Sequence, residues 1–236
     1  MTFGRGVRDG LAIGLGYLSV SFSFGIMAVN SGLAWWQAVL VSLANLTSAG
    51  QVAGVGIMAA GGGLIEMAVS QLVINLRYSL MAISLSQKTD KTMTLPARMV
   101  DSFFITDEIF GVACAHDSVG FKYMSGLAVL PTIGWTMGTL LGAVLGNILP
   151  AIVTNSLAIG IYGMFVAIVL PVCRKSKTVA IICIISVVLS VIFRYVPFLN
   201  ANVSSGFAII ICAVASALIG VFFLPGDGEK GEASNG

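Results

Sequence analysis

The chain has 236 residues, 57% of them hydrophobic and only 9% charged, with a formal net charge of +2. Soluble domains carry about 25% charged residues, so this chain lacks the charge to coat a water-facing surface. That excludes a cytosolic enzyme or a nucleic-acid-binding domain and makes the lipid bilayer the main solvent.

A helix needs about 20 apolar residues to cross a bilayer. In chain order, stretches 11–30, 35–60, 63–85, 98–116, 123–149, 151–173, 179–196 and 206–224 meet or approach that length. The first follows Arg5 and Arg8, as a signal peptide would, but it is long and has no small-x-small cleavage site after it, so it reads as a span. The connections are short, which leaves residues 1–225 as a single transmembrane domain. The Gly- and charge-rich stretch 226–236 reads as a disordered tail.

Basic residues favour the cytoplasmic side. With eight full crossings and a cytoplasmic N-terminus, Lys88, Lys91 and Arg98 fall outside, against that rule. If segments 35–60 and 98–116 both enter and leave on one side, the loop moves inside and Arg194 alone among the flanking cations stays out. Local sequence supports this second reading. Segment 35–60 is interrupted by Asn45-Leu46-Thr47-Ser48-Ala49-Gly50-Gln51, and segment 98–116 carries Thr106-Asp107-Glu108 near its centre. Irregular backbone at membrane depth is tolerated where protein buries it or water reaches it. The expected fold is an all-α integral membrane bundle, with about six full spans and two broken, re-entrant segments; eight full spans are the alternative. Both termini are then cytoplasmic.

Five charges lie inside apolar stretches: Glu66, Arg77, Asp101, Asp107 and Glu108. A charge at a helix centre costs about 2.5–3.5 kcal/mol on insertion scales, and such residues mark transport paths or pair across helices. Arg77 has Asn75 beside it and can face either acid. Asp101 and Glu108 are seven apart and share a face of a continuous helix, with Asp107 turned about 100° away. Glu66 can lie at the membrane edge after Gly61-Gly62-Gly63, and His116, the one histidine, has Asp117 as an adjacent partner. Gly134, Gly138, Gly142 and Gly146 recur every fourth residue, giving a face for close helix packing or for a partner subunit.

The four cysteines are scattered without C-x-x-C spacing, so neither a metal site nor a disulfide framework is expected. Walker, H-E-x-x-H and G-x-S-x-G motifs are absent, so neither a cofactor nor enzymatic chemistry is expected. Energy for uphill transport must come from an ion gradient or another subunit.

Ser48-Ala49-Gly50-Gln51, Asn75-Leu76-Arg77-Tyr78-Ser79-Leu80-Met81, Thr106-Asp107-Glu108-Ile109-Phe110, Gly134-Trp135-Thr136-Met137-Gly138 and Gly146-Asn147-Ile148-Leu149-Pro150 occur in that order. Together they resemble the AzlC family of bacterial branched-chain amino-acid permeases. The resemblance implies an inner-membrane exporter of leucine, isoleucine and valine that works with a small hydrophobic subunit of the AzlD type. One departure is in the first span: many relatives read roughly L-P-I-x-L-G-Y-L-P-V-G, whereas Leu11–Ser21 here lacks both prolines and the last glycine.

A zwitterionic substrate needs a cation or open helix N–H groups for its carboxylate. Arg77 and the break at Asn45, Ser48, Ala49, Gly50 and Gln51, with Asn75 nearby, are the expected substrate-binding set. Asp107 and Glu108 are expected to hold the ammonium or a coupling proton. A passive channel and a membrane scaffold are the competing expectations.

Overall fold

The computed structural model describes residues 1–146 and 176–223, with positions 148, 152, 166, 169, 170, 173 and 174. Most of the 151–173 stretch and the 226–236 tail lie outside the described residues. Ten helices are defined among the described residues: α1 Phe3–Asn30, α2 Trp35–Ala44, α3 Ser48–Ala59, α4 Leu64–Ser86, α5 Leu95–Ser102, α6 Asp107–Cys114, α7 Phe121–Leu145, α8 Lys177–Tyr195, α9 Pro197–Asn202 and α10 Ser205–Phe223. Four of them, α1, α4, α7 and α8, are long and apolar enough to cross a membrane. The chain is an all-α membrane protein, and it forms two compact units. One is drawn from Met1–Val55 and Ile74–Ile161, the other from Gly56–Val73 and Tyr162–Gly236.

The first unit is organised by α1 and α7, which lie parallel. Gly10 faces Leu127, Gly14 faces Leu130, and Gly134 and Gly142 face the Gly14 and Phe22 backbones, so contacts advance together along both helices. A Cβ on Gly10 would stand 2.6 Å from the Leu127 carbonyl oxygen, and one on Gly14 2.7 Å from that of Leu130. Small residues are required there because backbone meets backbone. Pro131 lies inside α7 and has no N–H to give to the carbonyl four residues back. That carbonyl is Leu127's, the one that Gly10 approaches.

Both segments expected to be irregular are broken. Asn45 is extended at φ −144°, and its Oδ1 accepts from the Thr47 amide at 3.3 Å and the Thr47 hydroxyl at 2.6 Å. This local side-chain turn competes with helix and separates α2 from α3. In the second segment the helix stops at Ser102 and resumes at Asp107, where the Thr106 hydroxyl caps α6 by accepting from the Ile109 amide at 3.4 Å. The expectation that Asp101 and Glu108 share one helix face therefore fails: residues 103–106 interrupt the helix between them.

The ends of the second segment are clipped together. The Val119 amide donates to the Lys88 carbonyl at 2.8 Å, and the Asp90 amide to the Val119 carbonyl at 3.0 Å. Lys88 Nζ donates to the Cys114 carbonyl at 2.6 Å, and the Phe121 amide to Thr92 Oγ1 at 3.1 Å. In this loop the hydroxyl and amide of Thr92 hold the Asp90 carboxyl below its ordinary range. The same end of the unit carries the start of α1, because the Tyr123 hydroxyl donates to Asp9 at 2.8 Å. Residues 95–114 thus enter and return on the side where α1 begins, and α5 and α6, about 12 Å each, are too short to cross. His116 belongs to this cluster: its Nε2 is 2.9 Å from the Tyr123 hydroxyl and 3.9 Å from Asp9. The expected pairing with Asp117 gives way to these partners.

In the second unit α8 packs on α10, where a Cβ on Gly220 would reach Ile182 Cδ1 at 2.5 Å. Glu66 is only 6% exposed and caps the start of α10, accepting from the Gly206 amide at 3.0 Å and from the Ser204 hydroxyl. It is a buried capping group in the first turn of the spanning helix α4.

Candidate functional site

Tyr17 lies near the middle of α1, and the two breaks converge on it. Leu46 from the first break packs with Tyr17 and Trp135, and Phe104 from the second packs against the same cluster. The Tyr17 and Trp135 rings meet edge to face, with centroids 5.2 Å apart. The Tyr17 hydroxyl is hydrogen-bonded to the Glu108 carboxylate and to the Thr106 hydroxyl, the latter at 2.6 Å. With one phenolic proton available, the carboxylate is the stronger acceptor.

Beside this cluster, Arg77 of α4 forms an ion pair with Asp107, Nη1 to Oδ2 at 2.7 Å. Its Nη2 donates to the Tyr78 hydroxyl at 3.1 Å, and the guanidinium sits 4.9 Å from that ring's centre. The pair is not sealed: the side chains are 41% and 29% exposed. Asp107 and Glu108 occupy the first turn of α6, where the positive end of the helix dipole offsets the surplus negative charge. Asn75 is half-buried two residues before Arg77.

A second chain of hydrogen bonds fixes the other break. Trp135 Nε1 donates to Gln51 Oε1 at 2.8 Å, Gln51 Nε2 donates to Ser42 Oγ at 2.9 Å, and Ser42 Oγ lies 2.7 Å from Thr139 Oγ1. Gln51 is 1% exposed, and its own amide donates to the Thr47 carbonyl at 2.9 Å. Gln51 is thus a buried brace, and its N–H is not one of the open helix-start groups. Ser48 and Ala49 begin α3 without a carbonyl one turn back, while Gly50 is buried in the same turn.

The structure therefore gathers Arg77, Asp107 and Glu108 at Tyr17 and joins the Asn45–Gln51 break to them through Leu46, Trp135 and the Gln51 brace. Gly134, Gly138 and Gly142 lie elsewhere, against the α1 backbone, and Gly146 faces Ile26. Because α1 fills this groove, it is closed to a partner subunit. Sequence reasoning did not single out Tyr17, Ser42 or Thr139. The available signal was that a tyrosine or hydroxyl in mid-span must find a hydrogen-bond partner.

Among proteins of known sequence, the chain resembles the inner membrane protein YgaZ of Escherichia coli (strain K12), at 28% identity over 151 residues, 62% of each chain. The alignment thus spans less than two thirds of that relative's length. It also resembles an uncharacterized membrane protein of Archaeoglobus fulgidus, at 27% identity over 171 residues, 72% of this chain and 75% of the relative. No solved structure matches. The model of the AzlC protein family matches residues 12–149, which contain α1 from residue 12 onward, α2 to α7 and every residue of the Tyr17 and Arg77 clusters. The chain belongs to the AzlC family.

Proposed function

We propose that this protein is a secondary transporter that exports branched-chain amino acids, leucine, isoleucine and valine, across the bacterial inner membrane. It acts with a small hydrophobic subunit of the AzlD type and is driven by an ion gradient, with both of its termini in the cytoplasm. One observation carries the reading: a partly open Arg77–Asp107 ion pair stands where two helix breaks converge at mid-span.

An α-amino acid carries a carboxylate and an ammonium close together. It inserts into the ion pair, its carboxylate taking Arg77 and its ammonium taking Asp107, so each protein charge exchanges one partner for another. Glu108, held by Tyr17, supplies a second carboxylate for the ammonium. The apolar side chain lies toward Leu46, Phe104 and the Tyr17–Trp135 ring pair. The amides of Ser48 and Ala49, in the first turn of α3, favour negative charge.

The test is release of labelled leucine, isoleucine or valine from loaded proteoliposomes that also contain the small subunit. Saturable efflux that counterflow accelerates is the expected result. Wild-type rates in Arg77→Ala and Asp107→Asn at matched protein levels would overturn the site assignment.

A further inference from the structure

The re-entrant segment carries a third acid, and among the described residues it has no counter-charge. Asp101 lies in the last turn of α5 and is 3% exposed. Its Oδ1 accepts from the Ser125 hydroxyl of α7 at 3.3 Å, whereas Oδ2 is sealed from solvent without a hydrogen-bond partner. The residue lines two cavities. One, of about 280 Å³, runs toward Ser86, Thr89 and Arg98 on the side where α1 begins. The other, of about 360 Å³, runs toward Phe104 and Thr132.

Each neighbouring element leaves this carboxyl without a cation. Arg98 is the other ionisable side chain lining either cavity, and it is engaged elsewhere: Nε donates to the Met93 carbonyl and Nη2 to Thr89 Oγ1, each at 3.0 Å. From α4 the wall offers the Ser86 hydroxyl, and from α7 the Ser125 and Thr132 hydroxyls. In the adjoining loop Lys88 donates to the Cys114 and His116 carbonyls, and Asp90 is held by Thr92. The last carbonyls of α5 add partial negative charge beside Asp101. A buried carboxylate so placed would have a single hydroxyl donor, on Oδ1, and no counter-ion, and a buried group in that state is driven toward its protonated form. Asp107 and Glu108 differ, since Arg77 and Tyr17 satisfy them as carboxylates.

We propose that Asp101 is the group that binds and releases the coupling proton of the transport cycle. In this conformation its surroundings favour the neutral acid. When the segment shifts and water reaches Oδ2, the O–H bond breaks, the proton passes to water and a carboxylate remains, with no electron transferred. The charge created at the end of α5 acts on Asp107 through the four-residue break at 103–106. The inference rests on the transport reading above and moves the coupling proton from the Asp107–Glu108 pair to Asp101.

Two measurements on the full chain test it. In lipid nanodiscs at mildly acidic pH, infrared spectroscopy is expected to show a protonated-carboxyl band. Asp101→Asn should abolish it, Asp101→Glu should shift it, and Asp107→Asn should leave it in place. In proteoliposomes, Asp101→Asn is expected to retain leucine counterflow but to lose accumulation driven by a pH gradient at least tenfold, with Asp101→Glu recovering it. A band indifferent to Asp101→Asn, or wild-type gradient-driven accumulation in that variant, would overturn the proposal. If the Asp101 band is present and leucine, isoleucine and valine show no saturable efflux, the proton site stands and the substrate reading fails.

Discussion

The Arg77–Asp107 pair can serve as a site because it is half open. A sealed pair would be a brace, and removing one partner would strand the other in a buried position. In the proposed site, substrate termini replace each partner. Charge reversal, Arg77→Asp with Asp107→Arg, keeps the attraction but presents it in the opposite order. The double variant is expected to recover most of the thermal stability lost by either single reversal, without recovering leucine flux; detergent melting curves and vesicle efflux read the two separately. The Gln51 brace behaves in the opposite way. Trp135→Phe removes the indole donor and leaves a buried amide oxygen unpaired, with an expected loss of about 1–3 kcal/mol in stability, read from denaturant titration of the folded fraction. Arg77, Asp107 and Glu108 were legible in the sequence because charge in an apolar run is expensive. Tyr17, Ser42 and Thr139 were not, since a hydroxyl in a helix carries no comparable signal until its partner is known.

Among the elements, the two broken segments carry the proposed site and the α1–α7 pair carries the frame. The Asn45 turn was readable from its Asn, Thr and Gly content. The second break was only half readable: the acids marked its far edge, but the sequence Phe103-Phe104-Ile105 is apolar, and nothing in it announces that the helix stops at Ser102. The glycine spacing on α7 foretold a close-packed face without saying what fills it. Since α1 does, bulk on that face must displace backbone. Gly138→Val and Gly142→Val are expected to cost about 1–3 kcal/mol each or to prevent folding. Gly16→Ala on α1, where an added Cβ meets nothing within 4 Å, is expected to be neutral or to stabilise by roughly 0.5–1 kcal/mol. Melting temperatures of the purified variants check both expectations.

For the whole molecule, the basic-residue pattern and the structure bear on the same loop from different directions. The sequence asked for Lys88, Lys91 and Arg98 on the side of the N-terminus. The backbone and side-chain bonds of residues 88–92 to 114–121 tie that loop to the end of the unit where α1 begins. In a cysteine-free background, Lys91→Cys and Asp117→Cys are expected to react with an impermeant maleimide from the same side as Arg5→Cys. Trp35→Cys, beyond the far end of α1, should react from the other side. The central claim, that a zwitterion inserts into the Arg77–Asp107 pair, is tested most directly by competition against labelled leucine counterflow with two analogues that keep its side chain. One is 4-methylpentanoate, which lacks the ammonium, and the other 3-methylbutylamine, which lacks the carboxylate. Unlabelled leucine is expected to compete fully and each single-charge analogue at least tenfold more weakly; competition by either analogue as strong as leucine's own would contradict it.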